Sequence, residues 1–342
     1  MRGKDDLGHD YCGITWGLAG SGFHSFNRAY KVHVLEMPSS ILAGLVACNL
    51  IWAANPAVQK ILLESHTPIQ TGWLRYLSSF AAYLVFAAYG RFNPRTSLGV
   101  MLSPPFVLPG QVRRSDWFTL VLIGFAAFCF TPVLQITGLD SARAVDNVLV
   151  IILEPLTCIA LVALFLRERI NRQQWIGIAL AIFGFVLFTG MSSLDPRGVG
   201  TLLMLVSVIG DALFTVLGRK LLNRIRGVAL YGTTQFIGLL ILTVICWISP
   251  GGLPNLSHIS LRDGAAIFWI GPLGTAFTFA YWSWALEKVP VAAMALTLFV
   301  QPVCGVLLSY FWLGDRLSLM QGIGAALMLM AVAVPTFIGT EK

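Results

Sequence analysis

The chain has 342 residues, of which 56% are hydrophobic and only 11% are charged, and its mean hydropathy is +0.77. A soluble domain carries about 25% charged residues, so these values exclude a soluble enzyme and predict an all-α integral membrane protein. The net charge of +7 comes from basic residues in short connections between apolar runs, where they set membrane topology, so it does not indicate nucleic-acid binding.

The first 40 residues differ from the rest of the chain. They carry several charged residues, and their apolar stretch at residues 14–18 is too short for the apolar core of a signal peptide. We therefore expect residues 1–40 to form a flexible cytoplasmic tail. Met37 stands directly before the first long apolar run and is a second candidate for the start of the protein.

Ten apolar runs follow the tail, each close to the ~20 residues that a membrane-spanning helix needs. They cover residues 41–62, 70–90, 116–138, 144–166, 173–190, 199–218, 228–248, 264–286, 290–312 and 318–338. The longest connection, residues 91–115, is rich in Pro and Arg and predicts a surface loop, and residues 249–263 predict a second, shorter one.

The distribution of basic residues predicts the orientation of the ten runs. With the amino terminus inside, the inner connections hold twelve Lys and Arg residues and the outer connections hold five. This bias follows the positive-inside rule. We therefore expect a multi-pass protein of the cell (inner) membrane with both termini in the cytoplasm.

The sequence repeats itself at a constant spacing. Residues 147–180 align without a gap to residues 294–327, an offset of 147 that brings Glu154-Pro155 onto Gln301-Pro302. Each unit holds five runs, an odd number, so the second copy enters the membrane upside down. The sequence thus predicts ten transmembrane helices as two inverted five-helix repeats, residues 41–190 and 199–338, an organisation typical of alternating-access transporters.

Several motifs resemble those of a known family. Glu154-Pro155, Leu166-x-Glu168-Arg169, Gln174-x-x-Gly177 and the segment IWAANPAVQK at residues 51–60 are similar to the EamA type of the drug/metabolite transporter superfamily. The resemblance covers residues 41–338 and implies transport of a metabolite or amino acid, commonly export, through a central cavity between the repeats. Two residues depart from the family pattern. Asp211 stands where an apolar or aromatic residue is usual, and Gln301, not an acid, precedes the second proline.

Glu154 and Gln301 are predicted to lie near the middle of the membrane. Each precedes an acidic residue at a helix end, Glu168 or Asp315, by 14 residues, which is about 21 Å along a helix. Pro155 and Pro302 each remove one helical hydrogen bond and leave a backbone carbonyl free. Two interpretations stay open: a substrate or proton site, or an inter-repeat hydrogen bond that braces two kinked helices.

Other polar or aromatic residues in apolar runs are further candidates. Asp211 suits a proton or a substrate amine, or pairs with a neighbouring hydroxyl or with backbone. Arg75 is interpreted as a structural anchor that extends to the membrane surface or pairs with Asp146 or Glu64. The aromatic candidates have interfacial packing as their alternative. The candidate substrate-binding or coupling residues are Glu154, Asp211, Gln301, Asn55, Trp52, Gln135, Tyr281 and Trp282, and the structural or gating candidates are Pro56, Pro155, Pro302 and Arg75.

These features favour a secondary transporter, acting as an exporter, of a small neutral or zwitterionic metabolite such as an amino acid. A nucleotide-sugar or phosphate-ester carrier is the near alternative, but Arg75 is the only basic residue well inside a run. A membrane-embedded enzyme needs convergent nucleophiles or bases, yet none of the five His falls in a run, and a channel does not require inverted repeats. No Walker A, H-E-x-x-H or C-x-x-C motif occurs, so we expect no catalytic residue, cofactor or metal. The expected partners are the substrate and the lipid bilayer, with a homodimer left open.

The predicted topology can be checked by labelling single cysteines in a variant that lacks the native ones. Cysteines at Ser193 and Arg316 should react with an impermeant maleimide added outside, and one at Arg169 should react only after the membrane is opened. External reaction at Arg169 together with protection at Arg316 would reverse the orientation.

Overall fold

The structure, a computed structural model, describes residues 38–108, 110–166, 172–189, 196–289, 294, 297, 298 and 300–333. Residues 1–37 of the predicted tail (including Met37), Ser193 and the connection that holds Glu168 and Arg169 lie outside the described residues, whereas Ser39 and Ser40, which were assigned to the tail, begin α1. Within the described residues all regular structure is helical. The helices are α1 (Ser39–Leu63), α2 (Pro68–Phe92), α3 (Ser97–Met101), α4 (Arg114–Ser141), α5 (Ala144–Ile151), α6 (Glu154–Leu166), α7 (Arg172–Thr189), α8 (Pro196–Leu221), α9 (Gly227–Ile248), α10 (Leu261–Lys288), α11 (Val300–Leu313) and α12 (Leu319–Ala333).

The helices agree with an all-α integral membrane protein of ten spans in two inverted five-helix repeats. By length and composition, α1, α4, α8, α9 and α10 are each able to cross a membrane. Shorter apolar segments occupy Trp175–Phe188, Val300–Leu313 and Leu319–Ala331. The predicted fold class is confirmed. The boundaries 41–190 and 199–338 of the two repeats stay a prediction.

The third span of each repeat shows the internal symmetry most clearly. The bounds of α4, Arg114–Ser141, become those of α10, Leu261–Lys288, when 147 is added to each residue number. Both helices contain π-helical turns in corresponding places, at Ala126–Phe130 and Trp269–Phe277. Such turns are uncommon and frequently occur at functional sites. The offset seen in the sequence therefore describes the backbone as well.

The two repeats interlock instead of forming separate lobes. A Cβ atom on Gly124 of α4 would lie 2.7 Å from the carbonyl oxygen of Thr234 on α9. The residue at the corresponding place in α10, Gly271, would bring its Cβ to 2.9 Å from the carbonyl oxygen of Arg75 on α2. The third span of each repeat thus packs against the second span of the other, and glycine permits the close approach.

A second glycine contact joins the last spans of the two repeats. A Cβ on Gly324 of α12 would lie 2.6 Å from the carbonyl oxygen of Gly184 and 2.7 Å from the backbone nitrogen of Phe188 on α7. Around this crossing the buried side chains are small or apolar, including Ala181 and Met328. The two helices therefore meet backbone to backbone, as in small-residue packing of membrane helices.

A buried ion cluster ties the two repeats together at one end of the bundle. The carboxylate of Asp146, which is 0% exposed, accepts hydrogen bonds of 2.9 and 2.8 Å from Arg197 and of 3.1 Å from Arg143. Arg143 also donates to the carbonyl oxygen of Arg316 at 2.8 Å and to Oε1 of Gln321 at 3.2 Å. Because Arg316 and Gln321 belong to the second repeat, the cluster bridges the two repeats.

These contacts correct the expected partners of Arg75. Asp146 pairs with Arg143 and Arg197, and Glu64 pairs with Arg262 near the same end of the bundle. The hydrogen bond from Arg262 lowers the pKa of Glu64 below its usual value. The expectation that Arg75 pairs with Asp146 or Glu64 is therefore wrong.

The connection at residues 91–115 is only partly the surface loop that was predicted. Leu102 and Val107 are 2% and 6% exposed, so both pack into the bundle. Tyr83 of α2 donates a hydrogen bond of 2.6 Å to the carbonyl oxygen of Pro105, and the backbone N–H of Val107 donates to Oγ1 of Thr233 on α9 at 2.9 Å. Hydropathy did not reveal this docking, because the apolar residues of the loop are scattered among prolines.

The crossing of α7 and α12 predicts that alanine substitutions at two glycines of α12 differ in their effect on stability. Gly324→Ala should destabilise the protein by about 1–3 kcal/mol, because the methyl group has no space and the helices must separate. Gly322→Ala is the control, since a Cβ at that position has nothing within 4 Å. Thermal unfolding in detergent measures both; equal stability of the two variants would contradict the close contact.

The ion cluster predicts that a single substitution at Asp146 strongly lowers the stability of the protein. Asp146→Asn removes the negative charge between Arg143 and Arg197 and should destabilise the protein by roughly 2–4 kcal/mol, since both guanidinium groups lose a buried partner. Glu64→Gln, at the exposed pair with Arg262, is the control and should unfold at nearly the wild-type temperature. Similar unfolding temperatures for the Asp146 and Glu64 variants would show that the cluster adds little stability.

Candidate functional site

A cavity of about 90 Å³ lies between the two repeats, enough for several water molecules or a ligand of a few heavy atoms in this conformation. Its walls come from α1, α2, α4, α5, α6, α8, α10, Leu298 and α11. The lining residues are Trp52, Asn55, Pro56, Gln59, Arg75, Tyr76, Thr131, Gln135, Asn147, Ile151, Glu154, Asp211, Phe214, Thr215, Phe279, Trp282, Leu298 and Gln301.

The cavity brings most of the predicted site residues together. Those that line it are Glu154, Asp211, Gln301, Asn55, Trp52, Gln135, Trp282, Pro56 and Arg75. Pro155 and Pro302 stand next to lining residues but are not themselves in the lining. Tyr281 lies elsewhere: its hydroxyl donates to the carbonyl oxygens of Ser40 and Ile41 at the start of α1, at 3.3 and 3.4 Å. Its ring faces Phe277 and Trp284, so it belongs to a packing cluster and not to the cavity.

The fourth span is interrupted beside the cavity. Helix α5 ends at Ile151 and α6 begins at Glu154, with turn-like backbone hydrogen bonds from the N–H groups of Ile152 and Leu153 in between. The expected kink is therefore a tight turn at Ile152 and Leu153, where hydrogen bonds to the third preceding residue replace the α-helical pattern. Pro155 falls in the first turn of α6, where its missing N–H leaves no helical hydrogen bond unmade. Glu154 also falls in that turn, where a carboxylate interacts favourably with the helix dipole.

The second repeat reproduces this arrangement with a neutral residue. Pro302 lies in the first turn of α11, and Gln301 lines the cavity as Glu154 does. Nε2 of Gln301 donates a hydrogen bond of 2.8 Å to Oδ1 of Asn49 on α1, and Nδ2 of Asn49 donates to Oγ1 of Thr297 at 3.0 Å. Gln301 thus forms an inter-repeat hydrogen bond, but its partner lies on α1 and not on the helix that carries Glu154.

Glu154 and Asp211 differ from Gln301 in their surroundings. Both carboxyl groups face the cavity, and neither accepts a hydrogen bond from another residue in the described part of the chain. The two groups repel each other electrostatically, and Asp211 is attracted by Arg75. A carboxyl group that protein does not pair at membrane depth is costly and usually functional. The pair is therefore available to a proton or a cationic ligand.

Arg75 is held by the π-helical turn of α10. Its Nε donates a hydrogen bond of 2.8 Å to Oγ1 of Thr275, and that hydroxyl donates in turn to the carbonyl oxygen of Ile270 at 2.7 Å. The guanidinium carbon lies 5.2 Å from the centre of the Tyr76 ring, within the range of a cation–π contact. Arg75 is thus a fixed positive charge at the cavity wall and not a residue that reaches the membrane surface.

The same π-helical turn anchors α1 to α10. The carbonyl oxygen of Gly274 accepts hydrogen bonds from Nε1 of Trp52 at 3.0 Å and from Nδ2 of Asn55 at 3.3 Å. Trp52 contacts the rings of Phe279 and Trp282 with centroid distances of 5.4 Å in both cases. Three aromatic rings therefore form one continuous wall of the cavity.

Sequence reasoning missed several residues of the lining. Tyr76, Thr131, Asn147, Phe214 and Thr215 face the cavity but were not among the candidates. Asn147 carried a usable signal, since it is an amide inside an apolar run. The other four are common in membrane helices, and hydropathy does not tell which face of a helix meets a cavity.

A comparison with known protein families agrees with the two-repeat organisation. The sequence profile of the EamA-like transporter family matches residues 39–190 and 198–337. The chain belongs to this family. The predicted resemblance is thus confirmed, and this EamA-like protein is a multi-pass membrane transporter.

Individual relatives span nearly the whole EamA-like region. An uncharacterized transporter of Methanothermobacter thermautotrophicus is 25% identical over 300 residues, covering 85% of this chain and 84% of that protein. The uncharacterized transporter YwfM of Bacillus subtilis is 24% identical over 291 residues, covering 83% and 89%. A chloroplastic WAT1-related protein of Arabidopsis thaliana is 25% identical over 302 residues, covering 86% and 68%. One crystal structure superposes with a TM-score of 0.58 at 18% identity over 88% of this chain and 97% of that chain, a likeness of fold alone.

Proposed function

We propose that the protein is a secondary transporter that exports a small zwitterionic metabolite, such as an amino acid, across the cell (inner) membrane. The observation that carries the proposal is that two carboxyl groups, Glu154 and Asp211, and one guanidinium group, Arg75, face a single cavity between inverted repeats. Inverted repeats with a site at their interface support alternating access. Both termini lie in the cytoplasm in this proposal.

The charges of the cavity suit a ligand that carries both signs. A cationic group of the substrate binds at Glu154 and Asp211, while its anionic group approaches Arg75. An anionic cargo such as a nucleotide sugar fits less well, because Arg75 is the one basic residue among the described lining residues and stands with two acids.

The two carboxyl groups also provide a means of coupling. With Arg75 offsetting one negative charge, the empty cavity holds one excess negative charge when both acids are ionised. A proton neutralises this charge, whereas a zwitterionic substrate pairs its ammonium group with the carboxylates and its anionic group with Arg75. The proton and the ammonium group exclude each other at the same carboxylate oxygens. Movement of the substrate in one direction is then coupled to movement of a proton in the other.

Transport by Glu154→Gln, Asp211→Asn and the double variant tests this mechanism. Both substitutions keep the side-chain shape and remove the ionisable proton, so each single variant should lose at least tenfold in pH-gradient-driven uptake into proteoliposomes. The double variant should lose the dependence on pH as well. Thermal stability should stay close to that of the wild type, since neither carboxyl group accepts a hydrogen bond from a described residue.

Glu64→Gln serves as the control. Glu64 follows the exposed end of α1, and its carboxylate pairs with Arg262 outside the cavity. This variant should transport like the wild type. Wild-type rates and pH profiles in all three cavity variants would contradict the proposal and leave the carboxyl groups a structural role.

A further inference from the structure

Arg75 and Asp211 face the same cavity but are not bonded to each other. No hydrogen bond joins them in the described part of the chain, and Arg75 attracts Asp211 only across the cavity. Two opposite charges in surroundings of low dielectric constant attract each other strongly at short range. A guanidinium group that was free to move would therefore approach the carboxylate and form an ion pair. Another contact must hold Arg75 in its place.

That contact is a hydroxyl group of α10. Nε of Arg75 donates to Oγ1 of Thr275 at 2.8 Å, and this hydroxyl donates to the carbonyl oxygen of Ile270 at 2.7 Å. Because the hydroxyl proton is committed to Ile270, a lone pair of Oγ1 is left to accept from Arg75. Thr275 is 0% exposed and is not among the residues that line the cavity. It thus fixes the direction of Arg75 without touching the cavity itself.

The corresponding helix crossing in the other half of the molecule lacks this hydrogen bond. There Gly124 approaches the carbonyl oxygen of Thr234, whose hydroxyl donates within its own helix. The residue that lies 147 positions before Thr275 is the apolar Phe128. The second span of one repeat therefore packs on the third span of the other without an arginine–threonine bond. Helix packing alone does not account for the bond between Arg75 and Thr275.

We propose that Thr275 is a positioning residue for proton coupling, which holds the guanidinium group of Arg75 away from Asp211 and so keeps the cavity carboxylates open to a proton or a substrate cation. The inference rests on the proposed function, in which protonation of Glu154 and Asp211 is coupled to transport. When the hydroxyl group is removed, Arg75 closes onto Asp211. The carboxylate is then occupied by a charge of this chain, and its protonation requires a lower pH.

The other titratable groups near the two carboxyl groups do not provide this control. Glu154 and Asp211 repel each other electrostatically. The described titratable or charged side chains that interact with them are Arg75, Tyr76 and Cys158. Tyrosine and cysteine side chains are uncharged near neutral pH. A change in the protonation of the carboxyl groups after a substitution at Thr275 therefore reports on the position of Arg75.

Infrared titration of purified full-length protein tests the inference without a substrate. The band of the protonated cavity carboxyl groups is the part of the spectrum that Glu154→Gln and Asp211→Asn remove. Thr275→Val keeps the shape of the side chain and removes the hydroxyl group, so the midpoint of this band should move to lower pH by about one unit or more. Thr275→Ser keeps the hydroxyl group and should titrate like the wild type. An unchanged midpoint in Thr275→Val, or a shift to higher pH, would overturn the inference.

Further variants separate positioning from general damage to α10. Thr278→Val is the matched control, since Thr278 is equally buried on the same helix, lies outside the cavity lining and should leave the midpoint unchanged. In an Arg75→Gln background, Thr275→Val should cause no further shift, because the positioned group is gone. An equal shift in both backgrounds would show that Thr275 does not act through Arg75. If Thr275→Val does not fold, Thr275→Cys, with a weaker acceptor, should shift the midpoint in the same direction.

Uptake of labelled serine and leucine into proteoliposomes separates this inference from the function on which it rests. If the wild type takes up either amino acid in a pH-dependent manner and Thr275→Val keeps both the infrared midpoint and the pH profile of uptake, the positioning role fails and the proposed function stands. If the wild type takes up neither amino acid but the infrared midpoint moves in Thr275→Val, the proposed function fails and Thr275 still positions Arg75.

Discussion

Within a membrane, a helix must satisfy its own backbone hydrogen bonds, and the candidate site lies where the helices of this bundle depart from regular α-helical hydrogen bonding. An unpaired N–H or C=O group in hydrocarbon costs several kcal/mol, so interruptions occur only where protein or a cavity receives the freed groups. The tight turn after Ile151 and the π-helical turns that end at Phe130 and Phe277 all lie next to the same cavity. Arg75, Trp52 and Asn55 are held through the π-helical turn of α10. The irregular backbone thus forms the frame of the site.

Inverted symmetry explains why these irregularities come in pairs. The π-helical turns of α4 and α10, and the prolines that open α6 and α11, occupy corresponding positions. Two copies of one unit then enclose a cavity from opposite directions, which places equivalent backbone on both walls. Side chains were free to differ, and they do at Gln135 and Trp282. In the proposed function, this symmetry is the basis of alternating access.

The two ends of the bundle carry ion pairs that differ in burial. One end carries the fully buried carboxylate of Asp146 between Arg143 and Arg197. The opposite end carries the pair of Arg226 and Glu287, whose side chains are 35% and 15% exposed. The counterpart of Asp146 in the second repeat is Ala293, so the buried cluster has no equivalent acid there. Under the proposed alternating access, the contacts that must rearrange therefore differ between the two ends.

The sequence alone determined the class, the helices and the repeat, because runs of about 20 apolar residues and a constant offset are local or linear properties. It also identified Glu154 and Asp211 as candidates, since an acidic residue in an apolar run stands out whichever face of the helix it occupies. Only the tertiary structure decided which side chains face the cavity. It showed that Arg75 bonds Thr275 and not Asp146, and that Tyr281 lies outside the cavity. Hydropathy reports how deep a residue lies and not which neighbour it meets, and those neighbours are set by helices about 200 residues apart in the chain.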